Sequence, residues 1–273
     1  MKVVGLYQYP VKSLRGNALE TCIVDRNGLV DDRRWMVVDK TGKFQTLREC
    51  HLMTQINVKV TAEGLTLHHT KFGSAHATRP SGDAQTRMVT VWKHIGPAHA
   101  AILEPSNFLS QILEQEIDLV YMGNPQSRPV NPEFGHAGDY TNFTDEFPAL
   151  LTSVASLDEL NRKLESPITM ERFRPNIIVD GAIAWGEDTW KTIRIGALHF
   201  RVAKPCSRCV VTTRDHLTGE KMRDTEPLQT LGKIHRASNG NIIFGQNLIP
   251  DDTGALSLGD NVEVLQAGKS NLL

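Results

Sequence analysis

The chain has 273 residues, with 30 Lys and Arg against 31 Asp and Glu, a formal net charge of −1. That length supplies one large or two smaller domains with a substantial core, and the balance excludes a general electrostatic grip on nucleic acid while leaving room for local basic pockets that take small anions. No run approaches the roughly 20 apolar residues of a membrane helix, Pro10-Val11-Lys12 arrives too early for a signal peptide, and Cys22, Cys50, Cys206 and Cys209 are too few for a disulfide framework. A globule in a reducing, cytoplasmic setting is expected, with neither membrane nor nucleic acid as partner.

The first third is dominated by short β-branched runs. Val3 to Tyr7 and Arg34 to Asp39 read as strands, and a turn at Lys40 to Lys43 leads into Phe44 to Leu47. Ile56 to Val60 alternates and turns at Ala62-Glu63-Gly64 into Leu65 to His68, before Met88 to Trp92. This spacing predicts a barrel or sandwich in place of βαβ units. Ser106 to Glu116 is the first helix, with Phe108, Leu109, Ile112 and Leu113 on one face, and a strand over Ile117 to Tyr121 follows it. A domain boundary near 118 divides the chain into 1–118 and 119–273. Residues 123 to 143, with Pro125, Pro129, Pro132, Gly135 and Gly138, read as a long surface loop of functional length. Ser156-Leu157-Asp158-Glu159 reads as a capping box opening a helix with Leu157, Leu160 and Leu164 inward. Strands return at Ile177 to Val179, Thr192 to Ile195, Leu198 to Val202, Val210 to Thr213, Ile242 to Phe244 and Val262 to Leu265, with a helix near Pro227 to His235. The fold class is mainly β (α+β), two β-barrel-like lobes with a few covering helices.

Cys206-Ser207-Arg208-Cys209 is the most informative segment. Two of four cysteines lie three apart beside an arginine and near Lys204, a setting for a nucleophile, a redox pair or a metal ligand. Thioredoxin-like exchange wants the first cysteine at a helix start, and β-branched residues follow instead. A structural zinc site wants a second Cys-x-x-Cys knuckle, which is absent. Two readings stay open: small buried hydrophobes, or one thiolate bound to a thiophilic metal.

Cations recur where loops run into strands. Val11-Lys12-Ser13 follows the first strand, Asp32-Arg33-Arg34-Trp35 opens another, and Arg172-Phe173-Arg174-Pro175-Asn176 precedes a third. Singly such residues mark solvated faces; together with Arg208 they suggest a binding mouth for a phosphate-bearing cofactor. The histidines, His136, His199 and His235 among them, show no ligand spacing, and Trp35 and Trp92 read as core strand residues.

In order and spacing, Tyr9-Pro10-Val11-Lys12-Ser13, Asp32-Arg33-Arg34-Trp35, Phe173-Arg174-Pro175-Asn176, Cys206-Ser207-Arg208-Cys209 with Thr212-Thr213, Thr218-Gly219, Glu226-Pro227-Leu228, Phe244-Gly245-Gln246-Asn247 and Gly259-Asp260 resemble the MOSC-domain proteins nearly end to end. Bacterial reductases of N-hydroxylated compounds and the mitochondrial amidoxime-reducing components are among the proteins it resembles. The resemblance implies an N-terminal β-barrel domain, a MOSC domain and a molybdenum cofactor, with Cys209 as thiolate ligand to the metal and Cys206 as its packed neighbour. It implies phosphate and pterin contacts from Lys12, Ser13, Arg33 and Arg174, joined by Asn176, Ser207 and Arg208, with Gln246 and Asn247 lining the far side. Asp145 aligns with a family segment beside the metal, although Glu146 and Phe147 stand where relatives have small hydroxyl residues.

The implied reaction is two-electron reduction of an N–O bond in a small N-hydroxylated substrate, releasing water. Some relatives carry a Cys-x4-Cys-x2-Cys ferredoxin set; with none in this sequence, a separate reductase, ferredoxin or cytochrome is the expected electron donor. The competing implication is a cofactor or sulfur carrier without turnover, and the residue-level alternative is a plain phosphate-binding module.

Overall fold

Alternating and β-branched runs become strands almost wherever they occur. The computed structural model describes residues 1–82 and 84–272. Its strands are β1 (Lys2–Gln8), β2 (Asn17–Leu19), β3 (Thr21–Asp25), β4 (Gly28–Leu29), β5 (Trp35–Asp39), β6 (Asn57–Val60), β7 (Gly64–His69), β8 (Gly73–Thr78), β9 (Thr86–Val91), β10 (His94–Ala100), β11 (Ile117–Tyr121), β12 (Ala149–Ser153), β13 (Ile177–Asp180), β14 (Trp190–Ile195), β15 (Leu198–Ser207), β16 (Ile243–Pro250), β17 (Gly254–Ser257) and β18 (Val262–Ala267). The helices α1 (Leu103–Leu113), α2 (Val154–Asn161) and α3 (Leu228–Ile234) and several 3-10 turns complete a mainly β protein.

The largest sheet runs β18-β14-β15-β16-β12-β13-β1-β2, and three smaller sheets run β5-β11-β10-β9, β17-β3-β4 and β6-β7-β8. The first two strands of the chain therefore sit in the sheet otherwise built from its second half, with β1 antiparallel to β13. The expected division at 118 falls inside β11, which pairs with β5 from Ile117 opposite Asp39 to Tyr121 opposite Trp35.

Each lobe buries its own apolar set. In one, Leu109, Ile112 and Leu113 of α1 pack on Trp35, Val37, Leu67 and Leu119. In the other, Val3, Leu6, Leu151, Ile177, Ile193, Phe200 and Leu248 close against Val24, Leu29 and Leu256 of the small β17-β3-β4 sheet. Burial of this kind contributes about 25 cal/mol per Å² of apolar surface and is the main driving force holding both lobes.

Phe44 to Leu47 forms no strand, only an isolated bridge from Phe44 to Val38, and two further local expectations fail for identifiable reasons. Ser156 lies inside α2, and its hydroxyl donates to the buried Glu187 carboxylate at 2.8 Å while accepting the Trp185 backbone N–H at 2.8 Å; no side chain caps α2. Val210 to Thr213 is a 3-10 turn and not a strand, because the Thr212 hydroxyl donates to the Cys209 carbonyl at 3.0 Å and the Thr213 hydroxyl to the Val210 carbonyl at 2.7 Å. Such back-bonding from threonine competes with a sheet ladder. No described helix is long and apolar enough to cross a membrane.

Candidate functional site

The connections after β1, before β5, before β12, before β13 and after β15 converge with the β9–β10 turn on one cleft of ≈ 870 Å³. Lys12 and Ser13 come from the first connection, Arg33 from the second, Asp145 and Glu146 from the third, Arg172 and Arg174 from the fourth, Cys206 to Cys209 from the fifth. Arg48, Lys93, Arg128 and Lys204 complete the charged lining. Nine cations thus face two carboxylates, in a chain whose overall charge is near zero. Low-dielectric walls lined by one sign concentrate an anion from solution.

The strained backbone clusters here. Ser13, Arg33, Trp92 and Arg174 all line the cleft with positive φ, at 68°, 48°, 55° and 52°. Side chains other than glycine tolerate this region at a cost that surrounding contacts must offset, and such residues gather at functional sites. Arg33 makes such contacts. Its guanidinium donates to Asp32 Oδ2 at 2.6 Å and Asn176 Oδ1 at 3.0 Å. It also lies 4.3 Å from the centroid of the Tyr9 ring, which Arg174 approaches at 4.2 Å.

Asn176 is a positioning residue. Its amide oxygen accepts from Arg33 and from the Leu150 N–H, and its amide nitrogen donates to the Tyr7 carbonyl and Asp32 Oδ1, both at 3.1 Å. All four hydrogen-bonding positions of the amide are engaged. Arg208 behaves alike: it stitches the Phe244 carbonyl, at 2.8 and 2.6 Å, to the Phe173 carbonyl at 3.0 Å, tying the Cys-x-x-Cys segment to β16 and to the turn that carries Arg174.

Lys12 is buried and donates to Asp145 Oδ1 at 2.6 Å. Burial pushes its ammonium down to about 8, against the pull of Asp145. Asp145 is 61% exposed at its side chain yet ringed by cations. The surrounding protein would raise its carboxyl, but Lys12, Arg48 and the Trp92 indole N–H outweigh that and hold it well below the ordinary carboxylate range. Its backbone is pinned by Arg128, which donates to the carbonyls of Asn142, Thr144 and Asp145 at 2.6 to 2.8 Å. The long proline-rich segment thus serves to fix the carboxylate opposite Lys12.

Cys209 is a free, half-buried thiol, the residue preceding the 3-10 turn, and its Sγ accepts a hydrogen bond from Arg48 Nη2 at 3.3 Å. The same nitrogen lies 3.8 Å from Asp145 Oδ2, and the guanidinium sits 4.5 Å from the Trp92 ring centroid. Cys206 is half-buried, free and near only the Ser207 carbonyl, and burial raises its thiol. The sulfurs are therefore unequal in setting, with the cation on Cys209.

Ten of the eleven residues singled out in the sequence line this cleft: Lys12, Ser13, Arg33, Asp145, Arg174, Asn176, Ser207, Arg208, Asn247 and Cys209. Gln246 does not. It is fully buried on the opposite face of β16, donating to Asp188 Oδ1 at 2.7 Å and accepting from Asn271 Nδ2 at 3.1 Å. Adjacent strand residues face opposite ways, so Gln246 and Asn247 cannot both reach one ligand. Trp92 also departs from expectation, as it is 44% exposed at the β9–β10 turn. Arg48 carried no signal in the sequence, because its partner sulfur is 161 residues away.

The donor set fits a phosphate-bearing metal cofactor. The thiols of Cys206 and Cys209 share the cleft with Lys12, whose ammonium has three N–H groups and one protein partner, and with the forked guanidinia of Arg33 and Arg174. Among the described residues no group of three or more His, Cys, Asp or Glu gathers, so the protein offers no closed ligand cage.

Residues 1–116 match the MOSC N-terminal beta barrel domain and residues 138–263 the MOSC domain. The chain is 29% identical to the human mitochondrial amidoxime-reducing component 1, covering 96% of this chain and 82% of that protein. It is 30% identical to the rat mitochondrial amidoxime reducing component 2, covering 95% and 82%. Identity to the molybdenum cofactor sulfurase of Arabidopsis thaliana is 29%, over 87% of this chain but 31% of that longer protein. With both domains matched in order along most of its length, the chain belongs to the family of MOSC-domain proteins that carry the MOSC N-terminal β-barrel domain.

Proposed function

We propose that the cleft holds a molybdenum cofactor and that the protein reduces small N-hydroxylated compounds, hydroxylamino bases and amidoximes among them, by cleaving the N–O bond. The observation that carries this reading is Cys209, a half-buried sulfur engaged by Arg48 in a cleft where cations outnumber carboxylates nine to two. Likeness to amidoxime-reducing components supports the substrate class.

When bound, the cofactor supplies the two-electron redox chemistry. Cys209 offers its sulfur to the metal. Lys12, Ser13, Arg33 and Arg174 take the phosphate and pterin on one side, with Ser207 and Asn247 facing them. Asn176, Arg208 and Arg128 keep these groups in place through the hydrogen bonds described above. Conversion of R–NH–OH to R–NH2 and water consumes two electrons and two protons, so an external donor delivers the electrons. Lys12, lowered by burial to about 8 and hydrogen-bonded to Asp145, keeps its ammonium charge for the cofactor's phosphate and pterin.

Expression in a cofactor-competent host tests the reading. Wild-type protein is expected to carry about one Mo per chain, and Cys209→Ala to lose reduction of a hydroxylamino substrate driven by an artificial donor. Normal turnover in that variant would overturn it. A second reading, sulfur or cofactor delivery without turnover, is favoured by the likeness to the cofactor sulfurase. It requires a persulfide on Cys206 or Cys209 by mass spectrometry together with no reduction under any donor.

A further inference from the structure

A second cavity, of ≈ 250 Å³, shares Leu47, Arg172, Arg174 and Val211 with the main cleft and is otherwise walled by different residues. Its charged lining is Arg15, Arg172, Arg174 and Arg214 against Glu171 and Asp215. Both carboxylates are already engaged. Glu171 accepts the Tyr7 hydroxyl at 2.9 Å, while Asp215 pairs with Arg172 at 3.2 Å and accepts the backbone N–H groups of Leu217 and Thr218 at 2.9 and 3.0 Å.

The donors are not. Among the described residues, nine buried side-chain nitrogen or oxygen atoms lack a hydrogen-bond partner, and four of them belong to this one lining: Tyr9 Oη, Arg172 Nη1, Arg214 Nε and His216 Nδ1. Buried polar groups in native proteins are nearly always paired, so a cluster of orphans around one cavity marks a missing occupant. Tyr9 cannot turn away to find a partner. It is 3% exposed, the Arg33 and Arg174 guanidinia lie over its ring, and a Cβ at Gly16 would stand 2.3 Å from its Cε1.

We propose that this cavity is a second anion site that binds a phosphate-sized oxyanion, separate from whatever occupies the main cleft. Arginine forks and a tyrosine hydroxyl are the donors that recognise a tetrahedral oxyanion, and two of the four arginines have an unmatched N–H. The size selects as well: 250 Å³ lies below the roughly 300–1,000 Å³ of pockets that take drug-sized ligands, so phosphate and its waters fit better than a nucleotide.

The proposal does not depend on what the cleft holds. Purified protein, with Mo and pterin quantified, is titrated with inorganic phosphate by calorimetry in phosphate-free buffer. One saturable site per chain below about 1 mM is expected in cofactor-loaded protein, with affinity weakened about 10-fold in Arg214→Gln. His216→Ala, a milder change on the same lining, is expected to weaken it in the same direction, and thermal melts show that each variant is folded. Binding is retained in Lys204→Gln, whose cation belongs to the cleft alone. Absence of phosphate binding in loaded protein would mean that the cofactor's own phosphate or nothing fills the cavity, and would overturn the proposal. So would wild-type affinity in Arg214→Gln and His216→Ala, or loss of binding in Lys204→Gln. If no Mo or pterin is found, the proposed function fails, whereas the difference between wild type and Arg214→Gln still reads the second site.

Discussion

The two faces of β16 carry polar residues in adjacent positions and treat them in opposite ways. Gln246 enters a closed network: it donates to Asp188, whose other oxygen accepts His235 Nε2 at 2.7 Å, while His235 Nδ1 meets the Ile243 carbonyl at 2.9 Å and Asn271 links Gln246 to Lys191. Trp185 stacks on His235 at 4.0 Å, and Glu187 lies next to it with Ser156 as donor. Asn247, one residue on, faces the cleft, where cations outnumber carboxylates nine to two. The first face is neutralised by the protein itself and is therefore structure. The second carries charge that the protein leaves unmatched and is therefore built for a ligand.

Substitutions that separate folding from loading sharpen this contrast. The largest effect is expected from Asp188→Ala, which leaves His235 and Gln246 facing a void in a buried network. Breaking a buried pair from one side costs about 3–5 kcal/mol, read as a lower denaturant midpoint. Lys12→Gln is expected to do the reverse: cofactor content falls about 10-fold while stability changes by no more than about 1 kcal/mol, since the partner Asp145 stays solvated. A stability loss in Lys12→Gln as large as that of Asp188→Ala would erase the distinction.

The closed network also sets a pH dependence. Burial raises Glu187 from 4.5 to about 7, so across that window the folded protein binds more protons than the unfolded chain and stability falls as pH rises. Burial alone would lower His235, but Asp188 and the Ile243 carbonyl prevail and raise it above 6.5. Its contribution is full below pH 6.5 and is lost as pH climbs through the raised value. The two act in the same direction. Melting temperature between pH 5 and 8 is expected to fall with a loss of about 1–3 kcal/mol, and Glu187→Gln to flatten the lower part of that profile. A wild-type slope in Glu187→Gln would show that the carboxyl is not the titrating group.

Much of this arrangement was legible before the structure. Four cationic clusters at loop-to-strand junctions, Arg208 among them, located four walls of the cleft. The strands that escaped notice are short or weakly apolar, such as β2, β4 and β10, the last with Gly96 and Pro97 inside it. Gln246 was misplaced for a sharper reason. The resemblance carried Gln246 and Asn247 over together, yet β16 pairs them in unbroken register with Pro205 and Lys204 and so turns them to opposite faces. Arg48 was invisible because its role comes from contacts with Cys209 and Asp145 that only the folded chain creates.

The most direct measurement is Mo and pterin content per folded chain in wild type, Cys209→Ala and Gln246→Leu. The account predicts a cofactor-loaded wild type, a Cys209→Ala protein that melts as wild type does but has lost its Mo, and a Gln246→Leu protein that is less stable yet retains Mo in whatever remains folded. Undiminished Mo in Cys209→Ala, or selective loss of Mo from a fully stable Gln246→Leu, would contradict the division between the two faces of β16.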